Sequence, residues 1–564
     1  MATNLKSYLR NRKSPNEGKT QNSKTQFLSL LIVVLVFLPV NSNQDYHHDW
    51  KTIVKWVCHQ APYPIRCVSS MAFNPAYRKP TLDILSTVAV QVSLQGAQNA
   101  RDFAASLHNH TMDEKERAAW QDCVELFKDS VYRLNMNTIN NDEAPIWLST
   151  ALANREACLN GFRDFNLTAT STIAALMSTT TLNLSEMLSN SLSMYSLSTW
   201  SLTNRHLLST KDQQNGDLYS HYGSATEEEF PQWLGATERN LLQSSSLAAQ
   251  ANVVVAKDGS GNYRTIGEAV NAAPQQSSKR YVIYIKAGLY KENIDIPSQK
   301  TNLMFIGEGR DKTVVTGSKS VADGVTTFKT ATVGVSGDGF IARDMTFENT
   351  AGPEKHQAVA LRIGSDRSVV HRCSIKGYQD TLYVFSFCQF YSEVDIYGTV
   401  DFIFGYAAVV IQNSNIIARR PLDHQGNTIT AHGRSDPNER SGISIHNCRI
   451  SAAPDLQRVK GSINTYLGRP WGKYARVVVM QSVVGDLIAP AGWSEFEGNL
   501  APSTLYYGEY MNSGAGAATS GRVNWPGYHV ITSASEASKF TVGQFISGDG
   551  WIPATGVRYT SGLK

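Results

Sequence analysis

A short hydrophobic pattern recurs about every 20 to 21 residues through the C-terminal half of the chain. The segment Val369–Gly377 recurs as Phe390–Gly398 and again as Val410–Ile416, so that positions 373, 394 and 414 align. After a longer excursion, Ile445–Ile450 and Val479–Val484 resemble further copies. One coil of this length cannot bury its own apolar face and must stack on its neighbours. Short β-branched strands at this period therefore predict a right-handed parallel β-helix, an all-β fold, over residues 251–564.

Two aspartates, Asp380 and Asp401, lie 21 residues apart within this repeat. Residues one coil apart are roughly 4.8 Å from each other, so the two carboxyls are expected to meet on adjacent coils. Gln357 precedes Gln379 by 22 residues, which puts a Gln, a Gln-Asp pair and an Asp on three successive coils. A single Asp or Gln on a solenoid is more often an exposed turn or ladder residue. The joint spacing favours a two-carboxylate catalytic site.

The N-terminal segment has the features of a secretion signal. Residues Phe27–Val40 form an apolar run of 14, interrupted only by Ser29 and Pro39 and preceded by a basic leader. This run is too short to span a bilayer comfortably. We therefore predict a signal peptide or a temporary signal-anchor over residues 1–42, and no stable membrane association after processing. Three glycosylation sequons agree with this route, at Asn109, Asn166 and Asn183.

Residues 43–205 have the periodicity of amphipathic helices and predict an all-α four-helix bundle. One helix face is formed by Trp120, Cys123, Val124, Phe127, Val131 and Leu134, and another by Trp147, Leu148, Ala151 and Leu152. An even number of cysteines in an oxidising compartment predicts disulfides. We expect Cys58–Cys67 to close a short hairpin and Cys123–Cys158 to connect two long helices.

Residues 206–250 are polar and are predicted to form a linker between the two domains. Two basic segments with a leucine pair flank it, Arg205–Leu208 and Arg239–Leu242. Such segments in an exposed linker are suited to cleavage by a processing protease. The net charge of the chain is only +4, which excludes a strongly basic nucleic-acid-binding protein. From Ala251 onward 31 Lys and Arg stand against 26 Asp and Glu, a difference of +5 that suits loose association with an acidic polymer.

Five longer motifs occur in order in the C-terminal half: Gly288–Glu292, Gln357–Arg362, Gly377–Tyr383, Gly398–Gly405 and Leu467–Trp471. Together with the helical region, they resemble plant pectin methylesterases that carry an N-terminal inhibitor-like domain. The resemblance implies a secreted enzyme of the cell wall that acts on pectin. Its expected reaction is hydrolysis of the C6 methyl esters of homogalacturonan to methanol and free carboxylates.

The resemblance also implies roles for individual residues, and no cofactor or metal. Asp401 corresponds to the nucleophile, Asp380 to the general acid and then base, and Gln357 and Gln379 to the oxyanion donors. Arg469 and Trp471 position the nucleophile and the sugar, and Thr327 corresponds to a substrate contact. These roles agree with the chemistry, because two carboxyls within about 5 Å cannot easily both ionise. Attack by the charged one on an ester gives an acyl-enzyme that water then opens.

Aromatic residues near these motifs allow two interpretations. Tyr383, Phe404, Trp471 and Trp493 are predicted to pack on the apolar faces of sugars, with core packing as the alternative for each. Arg469 beside Trp471 could likewise be a buried cation packed on an indole instead of a substrate clamp.

Other functions remain open from the sequence. A polygalacturonase or a calcium-dependent pectate lyase can use the same fold, but inverting hydrolysis needs carboxyls about 6.5 to 9.5 Å apart. A non-catalytic wall-binding protein is a third possibility. Because the helical region resembles inhibitors of these esterases, we expect it to act in cis during secretion or as a folding aid. A separate proteinaceous inhibitor is a further expected partner.

The cysteines of the C-terminal half depart from the family pattern. Relatives often have Cys where this chain has Val394 and Ser414, and a basic residue where it has Cys388. Cys373 and Cys448 are then separated by at least three strand spacings, about 14 Å, which exceeds the disulfide limit of about 7 Å. We predict that these two cysteines are not paired with each other.

Overall fold

The computed structural model describes residues 50–71, 82–136, 143–209, 251–496, 498 and 502–564. The predicted signal segment, residues 1–42, lies outside the described residues, as do residues 210–250 of the predicted linker and the segment Arg239–Leu242 within it. Within the described ranges, no helix combines the length and the apolar character needed to cross a bilayer.

The described N-terminal part is helical. Its helices are α1 (Trp50–Cys58), α2 (Pro64–Met71), α3 (Leu82–Ser106), α4 (Glu114–Met136), α5 (Ala144–Asp164) and α6 (Thr172–Ser209). The four long helices α3 to α6 pack in a ring, each against the next and α6 against α3, which confirms the predicted bundle. The last helix continues to Ser209, past the boundary predicted at residue 205. The segment Arg205–Leu208 is therefore helical instead of forming the start of a linker.

Both predicted disulfides of the helical domain are present. Cys58–Cys67 connects α1 to α2 with a Cα–Cα distance of 5.4 Å, and Cys123–Cys158 connects α4 to α5 at 4.5 Å. All four half-cystines are buried in the helical core. Each bond stabilises the bundle mainly by restricting the unfolded chain.

The C-terminal part is a right-handed parallel β-helix with three sheets, and every strand pairing within its described residues is parallel. The eleven-stranded sheet contains β1 (Val253–Val255), β2 (Tyr281–Ile285), β5 (Leu303–Gly307), β8 (Ile341–Arg343), β11 (Ser368–His371), β14 (Cys388–Ser392), β17 (Ala408–Gln412), β20 (Gly442–His446), β23 (Arg476–Met480), β25 (Tyr506–Tyr510) and β26 (Tyr528–Val530). The eight-stranded sheet contains β3 (Gly288–Lys291), β6 (Thr313–Gly317), β9 (Thr346–Asn349), β12 (Ser374–Lys376), β15 (Asp395–Gly398), β18 (Asn415–Ala418), β21 (Arg449–Ala452) and β24 (Val483–Val484). The seven-stranded sheet contains β4 (Ile294–Ile296), β7 (Val333–Val335), β10 (Leu361–Ile363), β13 (Leu382–Val384), β16 (Ile403–Gly405), β19 (Asn427–His432) and β22 (Thr465–Pro470).

Short helices pack at the first coils and along the outside of the solenoid. The first, α7 (Ile266–Ala272), begins with a capping box between Thr265 and Glu268 and buries Ile266 and Ala269 against the first coils. Near the C-terminus, α8 (Pro454–Gln457), α9 (Ala534–Ser538) and α10 (Val542–Phe545) follow or interrupt the coils. Residues of α10 pack on the outer face of the eleven-stranded sheet, where Val542 belongs to the same apolar cluster as Phe390.

The strand register follows the repeat predicted from the sequence. Val370, Tyr391, Ile411, Ile445 and Val479 occupy one row across successive coils, and all are buried. A left-handed residue follows the strand of the eleven-stranded sheet in seven of the described coils, with φ between 47° and 57°: Asp344, Arg372, Glu393, Asn413, Asn447, Gln481 and Met511. The residue after each of the first six is buried in the interior, which explains why Cys373, Val394, Ser414 and Cys448 align.

We expect the three remaining cysteines to be unreactive thiols in the folded protein. Cys373, Cys388 and Cys448 are free and buried, and the register puts Cys373 and Cys448 three coils apart, as predicted. Burial raises the pKa of Cys373 and of Cys448 to about 12. Because the thiolate is the reactive form, a maleimide at pH 8 should modify none of them until the protein unfolds, and all three afterwards. Peptide mapping checks this, and a cross-linked Cys373–Cys448 peptide would contradict the register.

Candidate active site

The four predicted catalytic residues with amide or carboxyl side chains lie in turns between the eight-stranded and seven-stranded sheets. Gln357 lies between β9 and β10, Gln379 and Asp380 between β12 and β13, and Asp401 between β15 and β16. The strands that follow these turns pair in parallel, with Leu361 opposite Leu382 and Leu382 opposite Ile403. The structure thus brings these residues to three successive coils, as their spacing predicts.

Both aspartates have a left-handed backbone, with φ of 61° at Asp380 and 50° at Asp401. This conformation costs about 1–2 kcal/mol for most residues, and Asp tolerates it better than most. The Asp380 N–H donates to the Val400 carbonyl at 3.0 Å, and the Asp401 N–H donates to Thr428 Oγ1 at 2.9 Å. These hydrogen bonds hold the two left-handed residues on adjacent coils. Both carboxyls line one cavity.

The Asp401 carboxylate is fixed by three donors. Arg469 donates from Nε to Oδ1 at 2.8 Å and from Nη2 to Oδ2 at 2.6 Å. Thr428 Oγ1 donates to Oδ1 at 2.6 Å. The guanidinium also stacks on the ring of Phe496, with 4.6 Å to the centroid. A bidentate arginine forms strong charge-assisted bonds with a carboxylate and fixes its direction, so Asp401 is oriented in the site.

Asp380 has the opposite environment. Burial is the main cause that raises its pKa well above the ordinary value, and the neighbouring charges of Asp401 and Asp164 raise it further. The charge of Arg469 opposes these effects without cancelling them. The two carboxyls of one site therefore have opposite environments: burial favours the neutral form of Asp380, whereas a bidentate arginine contacts Asp401.

Gln357 and Gln379 contribute unbonded amide groups to the same cavity. Both side chains are half-buried, and neither amide is hydrogen-bonded to any residue that the structure describes. Their N–H groups are therefore available to a ligand. Donors that are in place before a negative charge develops are the arrangement that stabilises an oxyanion.

The cavity has a volume of about 740 Å³ and is lined by aromatic as well as polar residues. The predicted contacts Thr327, Tyr383, Phe404 and Trp471 all line it. Tyr383 and Phe404 stack with ring centroids 4.2 Å apart, and Trp471 lies 5.9 Å from Phe404. Arg469 stacks on Phe496, so it is not the buried cation on an indole that the sequence left open.

Trp493 does not line the groove, contrary to the prediction. Its side chain is 1% exposed and belongs to the core of the solenoid. The ring packs on Tyr507 with centroids 4.2 Å apart, and Nε1 donates to Glu509 Oε1 at 3.3 Å. The indole is thus held in the interior by its own hydrogen bond, away from the cavity.

Helix α5 forms the other wall of the cavity. Asn160, Arg163 and Asp164 at its C-terminal end line the cavity together with Asp380 and Asp401. Asn160 Nδ2 donates to Tyr406 Oη at 2.7 Å. The Asp164 carboxylate accepts from the Thr327 N–H at 2.7 Å and from its Oγ1 at 3.0 Å. The helical domain therefore covers the groove.

Contacts outside the cavity extend this interface. The Asp122 carboxylate accepts from Thr326 Oγ1 at 2.5 Å. Three ion pairs link the helical domain to the solenoid: Glu125 with Lys329 at 2.7 Å, Arg133 with Asp338, and Glu143 with Arg367. Periodicity gave no sign of Asp122, Asp164 or Thr428, because each acts across a contact between segments distant in sequence.

The three predicted glycosylation sites have exposed side chains, at Asn109, Asn166 and Asn183. Their modification remains a prediction. Asn166 also lies at the wall of the cavity. Within the described ranges, no group of three or more His, Cys, Asp or Glu side chains is arranged to hold a metal ion.

Comparisons with known proteins agree on both halves of the chain. A family model described as Pectinesterase matches residues 252–549, and one described as Plant invertase/pectin methylesterase inhibitor matches residues 52–194. The chain is 47% identical over 523 residues to Probable pectinesterase/pectinesterase inhibitor 61 of Arabidopsis thaliana, covering 90% of this chain and 86% of that protein. It is 46% identical over 542 residues to Pectinesterase 2 of Citrus sinensis, covering 95% and 100%. The solved Pectin methylesterase from Carrot has 59% identity and a TM-score of 0.55, covering 56% of this chain and 98% of that one.

We expect the covering of the groove to weaken as the pH rises from acidic to neutral. Burial raises the pKa of Asp164 to about 6 and that of Asp122 to about 7, from 3.8. In the separated domains the two carboxyls lose their protons above about pH 4. In the docked state they keep them up to a higher pH. The stability of the docked state is greatest below that pH and falls as the pH rises through about 6 and 7, by about 1.4 kcal/mol per pKa unit.

Hydrogen–deuterium exchange of the groove strands β10 and β13 in the intact chain checks this. Exchange should speed up between pH 4.5 and 7.5, and Asp122→Asn, which cannot ionise, should flatten the dependence. Lys329, Arg163 and Glu125 also face the two acids. Exchange that is independent of pH after correction for the intrinsic rate would contradict the prediction.

Proposed function

The chain belongs to the pectinesterase family of carboxylic ester hydrolases, and from this premise we propose that it hydrolyses the C6 methyl esters of homogalacturonan through an aspartate nucleophile. The observation that carries the proposal is the contrast between the two carboxyls of the cavity. Asp401 has a bidentate arginine, and Asp380 has a raised pKa on the adjacent coil. One is suited to attack and the other to donate a proton.

In the proposed first step, an Asp401 oxygen attacks the ester carbonyl carbon of a galacturonate unit. The carbonyl oxygen becomes an oxyanion, which accepts hydrogen bonds from the amides of Gln357 and Gln379. Collapse of the tetrahedral intermediate breaks the bond to the methoxy oxygen, and Asp380 gives this oxygen its proton so that methanol leaves. An acyl-enzyme anhydride on Asp401 remains.

In the proposed second step, Asp380 is charged and acts as a general base. It takes a proton from a water molecule, whose oxygen attacks the acyl carbon of the anhydride. The same amides stabilise the second oxyanion. Collapse releases the galacturonate unit as a carboxylic acid, which loses its proton to solvent water, and returns Asp401 to its ionised form, which Arg469 and Thr428 hold in the original orientation. Asp380 ends protonated, so the site is ready for another ester.

The face of the seven-stranded sheet supports an extended polymer as the substrate. Arg362, Tyr383, Phe404, Ala431 and Arg469 occupy one row across five successive strands. This row runs along the solenoid axis beside the catalytic turns. Aromatic rings in such a row can pack on the apolar faces of successive sugars, whereas the two arginines are already paired, Arg362 with Asp295 and Arg469 with Asp401.

The helical domain supports a role in cis. It covers the catalytic cavity with α5, so a long polymer cannot reach Asp401 while the domain is docked. We therefore infer that the chain is kept inactive towards polymer during secretion, and that a protease acting on the linker frees the groove in the cell wall. Mass analysis of the secreted protein, with a methanol assay on the same sample, tests this order of events.

In the secreted protein after cleavage of the linker, replacement of Asp401 by Asn should abolish methanol release from methyl-esterified pectin. The amide is nearly isosteric but a far weaker nucleophile, and loss of a nucleophile costs roughly 10³-fold or more in kcat. Binding of the polymer should persist, since the groove is unchanged. Asp423→Asn is the matched control, because that carboxyl is 83% exposed, and it should retain full activity.

The same assay separates the proposed reaction from its rivals. Methanol is measured together with new reducing ends and with the absorbance of new double bonds. Reducing ends would indicate a glycosidase, and double bonds a lyase. Methanol release that survives Asp401→Asn would refute the nucleophile.

Replacement of Gln357 or Gln379 by Ala should lower kcat by about 10² to 10³ with a smaller effect on KM. Each amide bonds to an oxygen that is charged only in the tetrahedral state, so its loss affects the transition state more than binding. Steady-state methanol release checks this. Gln389 is the control, because its amide donates to the Ile363 and Ser386 carbonyls inside the solenoid. Gln389→Ala should lower the melting temperature without a selective loss of kcat. A rise in KM alone for Gln357→Ala would refute an oxyanion role.

A further inference from the structure

The contact between Asp164 and Thr327 has the chemistry of carboxylate recognition. Both donors of Thr327, its backbone N–H and its hydroxyl, point at one carboxylate, at 2.7 and 3.0 Å. Above the raised pKa of Asp164, about 6, the two donors bond a charged carboxylate, and such charge-assisted bonds are stronger than bonds to a neutral acceptor. The carboxylate comes from the helical domain, yet it lies in the cavity that contains Asp380 and Asp401.

The position of Thr327 relates this contact to the path of the substrate. Thr327 begins a short 3₁₀ turn that leads into β7, and β7 pairs with β10, which pairs with β13. It is therefore offset from Asp380 along the solenoid axis, towards the N-terminal end of the groove. A polymer that presents an ester to Asp401 would present the carboxyl group of a neighbouring unit near Thr327.

Neighbouring units of this polymer carry either a methyl ester or a free carboxylate. A free carboxylate can accept both Thr327 bonds with a full charge, whereas an ester offers a neutral carbonyl oxygen and a weaker bond. The side chain of Asp164 ends in the same group as a free galacturonate unit. The helical domain and a demethylated unit thus need the same two donors.

We propose that Asp164 is a built-in analogue of a free galacturonate carboxylate, which occupies the Thr327 donors and competes with demethylated units for them. This proposal rests on the proposed function, since it takes a polygalacturonate chain as the ligand of the groove. It predicts that unesterified chains, more than fully esterified ones, oppose the docking of α5.

Asp122 shows what a purely structural contact looks like at the same interface. It bonds the hydroxyl of the adjacent residue Thr326, but its side chain is only 1% exposed and does not line the cavity. Both acids come from the helical domain and both contact this turn. Only Asp164 reaches the space that the substrate must enter, so Asp122 is a matched control.

The test uses the full chain with Asp401→Asn, which leaves esters unconsumed. Calorimetric titration measures the dissociation constants of an unesterified galacturonate hexamer and of its fully methyl-esterified counterpart. Adding Asp164→Ala should increase the preference for the unesterified hexamer by about tenfold, as expected for one or two freed charge-assisted bonds. Adding Asp122→Ala should weaken docking and lower both dissociation constants by the same factor, so that their ratio is unchanged.

A second variant keeps the test decisive if Asp164→Ala alters the helix end. Thr327→Val removes the hydroxyl donor but keeps the shape of the side chain. Added to Asp164→Ala, it should abolish most of the preference for the unesterified hexamer that Asp164→Ala produced. A ratio that Asp164→Ala does not change, or that Asp122→Ala changes equally, overturns the proposal.

Failure of the proposed function would look different. With Asp401 intact, the Asp164→Ala chain should release methanol from the esterified hexamer. If the preference changes as expected but no methanol appears, the carboxylate subsite stands and the esterase mechanism falls. If methanol appears and the preference is unchanged, the mechanism stands and the role of Asp164 falls.

Discussion

The stacking of parallel strands at one coil spacing is the constraint on which the active site depends. It fixes Asp380 and Asp401 on adjacent coils, although nothing bonds their side chains to each other directly. Both residues also adopt a left-handed backbone, which directs two carboxyls out of the turn and into one cavity. A shift of register by one residue would send one of them to another face, so the buried rows of the core protect the geometry of the site.

That stacking brings two acidic groups together, and the other residues of the site give these two groups different electrostatic environments. Asp401 receives Thr428 from 27 residues away and Arg469 from 68 residues away, and all its donors favour the charged form. Asp380 lies in a buried position without a donor of its own among the described residues, and its pKa rises. Asp401 and Asp380 differ because their neighbours come from different coils of the solenoid. A motif of residues adjacent in sequence could not produce this difference.

Much of this was predictable where a local rule repeats. The alignment of Cys373, Val394, Ser414 and Cys448 follows from one left-handed residue per coil and an inward residue after it, and the spacing of the aspartates follows from the same rule. Thr428 was not predictable, because the chain takes a longer excursion before β19 and its register depends on that loop. Trp493 was misjudged since an aromatic residue near a motif does not reveal on which side of the strand it lies.

The contacts between the two domains do not follow the sequence repeat of the solenoid. Through these contacts the helical domain covers the groove. In the docked state, burial and the charge of Asp164 both raise the pKa of Asp380. Under the proposed cleavage of the linker, the helical domain would take Asp164 away and let water in, and both changes would lower that pKa. Under the proposed mechanism, uncovering would then do more than open a path for the polymer, because it would bring Asp380 towards the range in which a group can both give and take a proton.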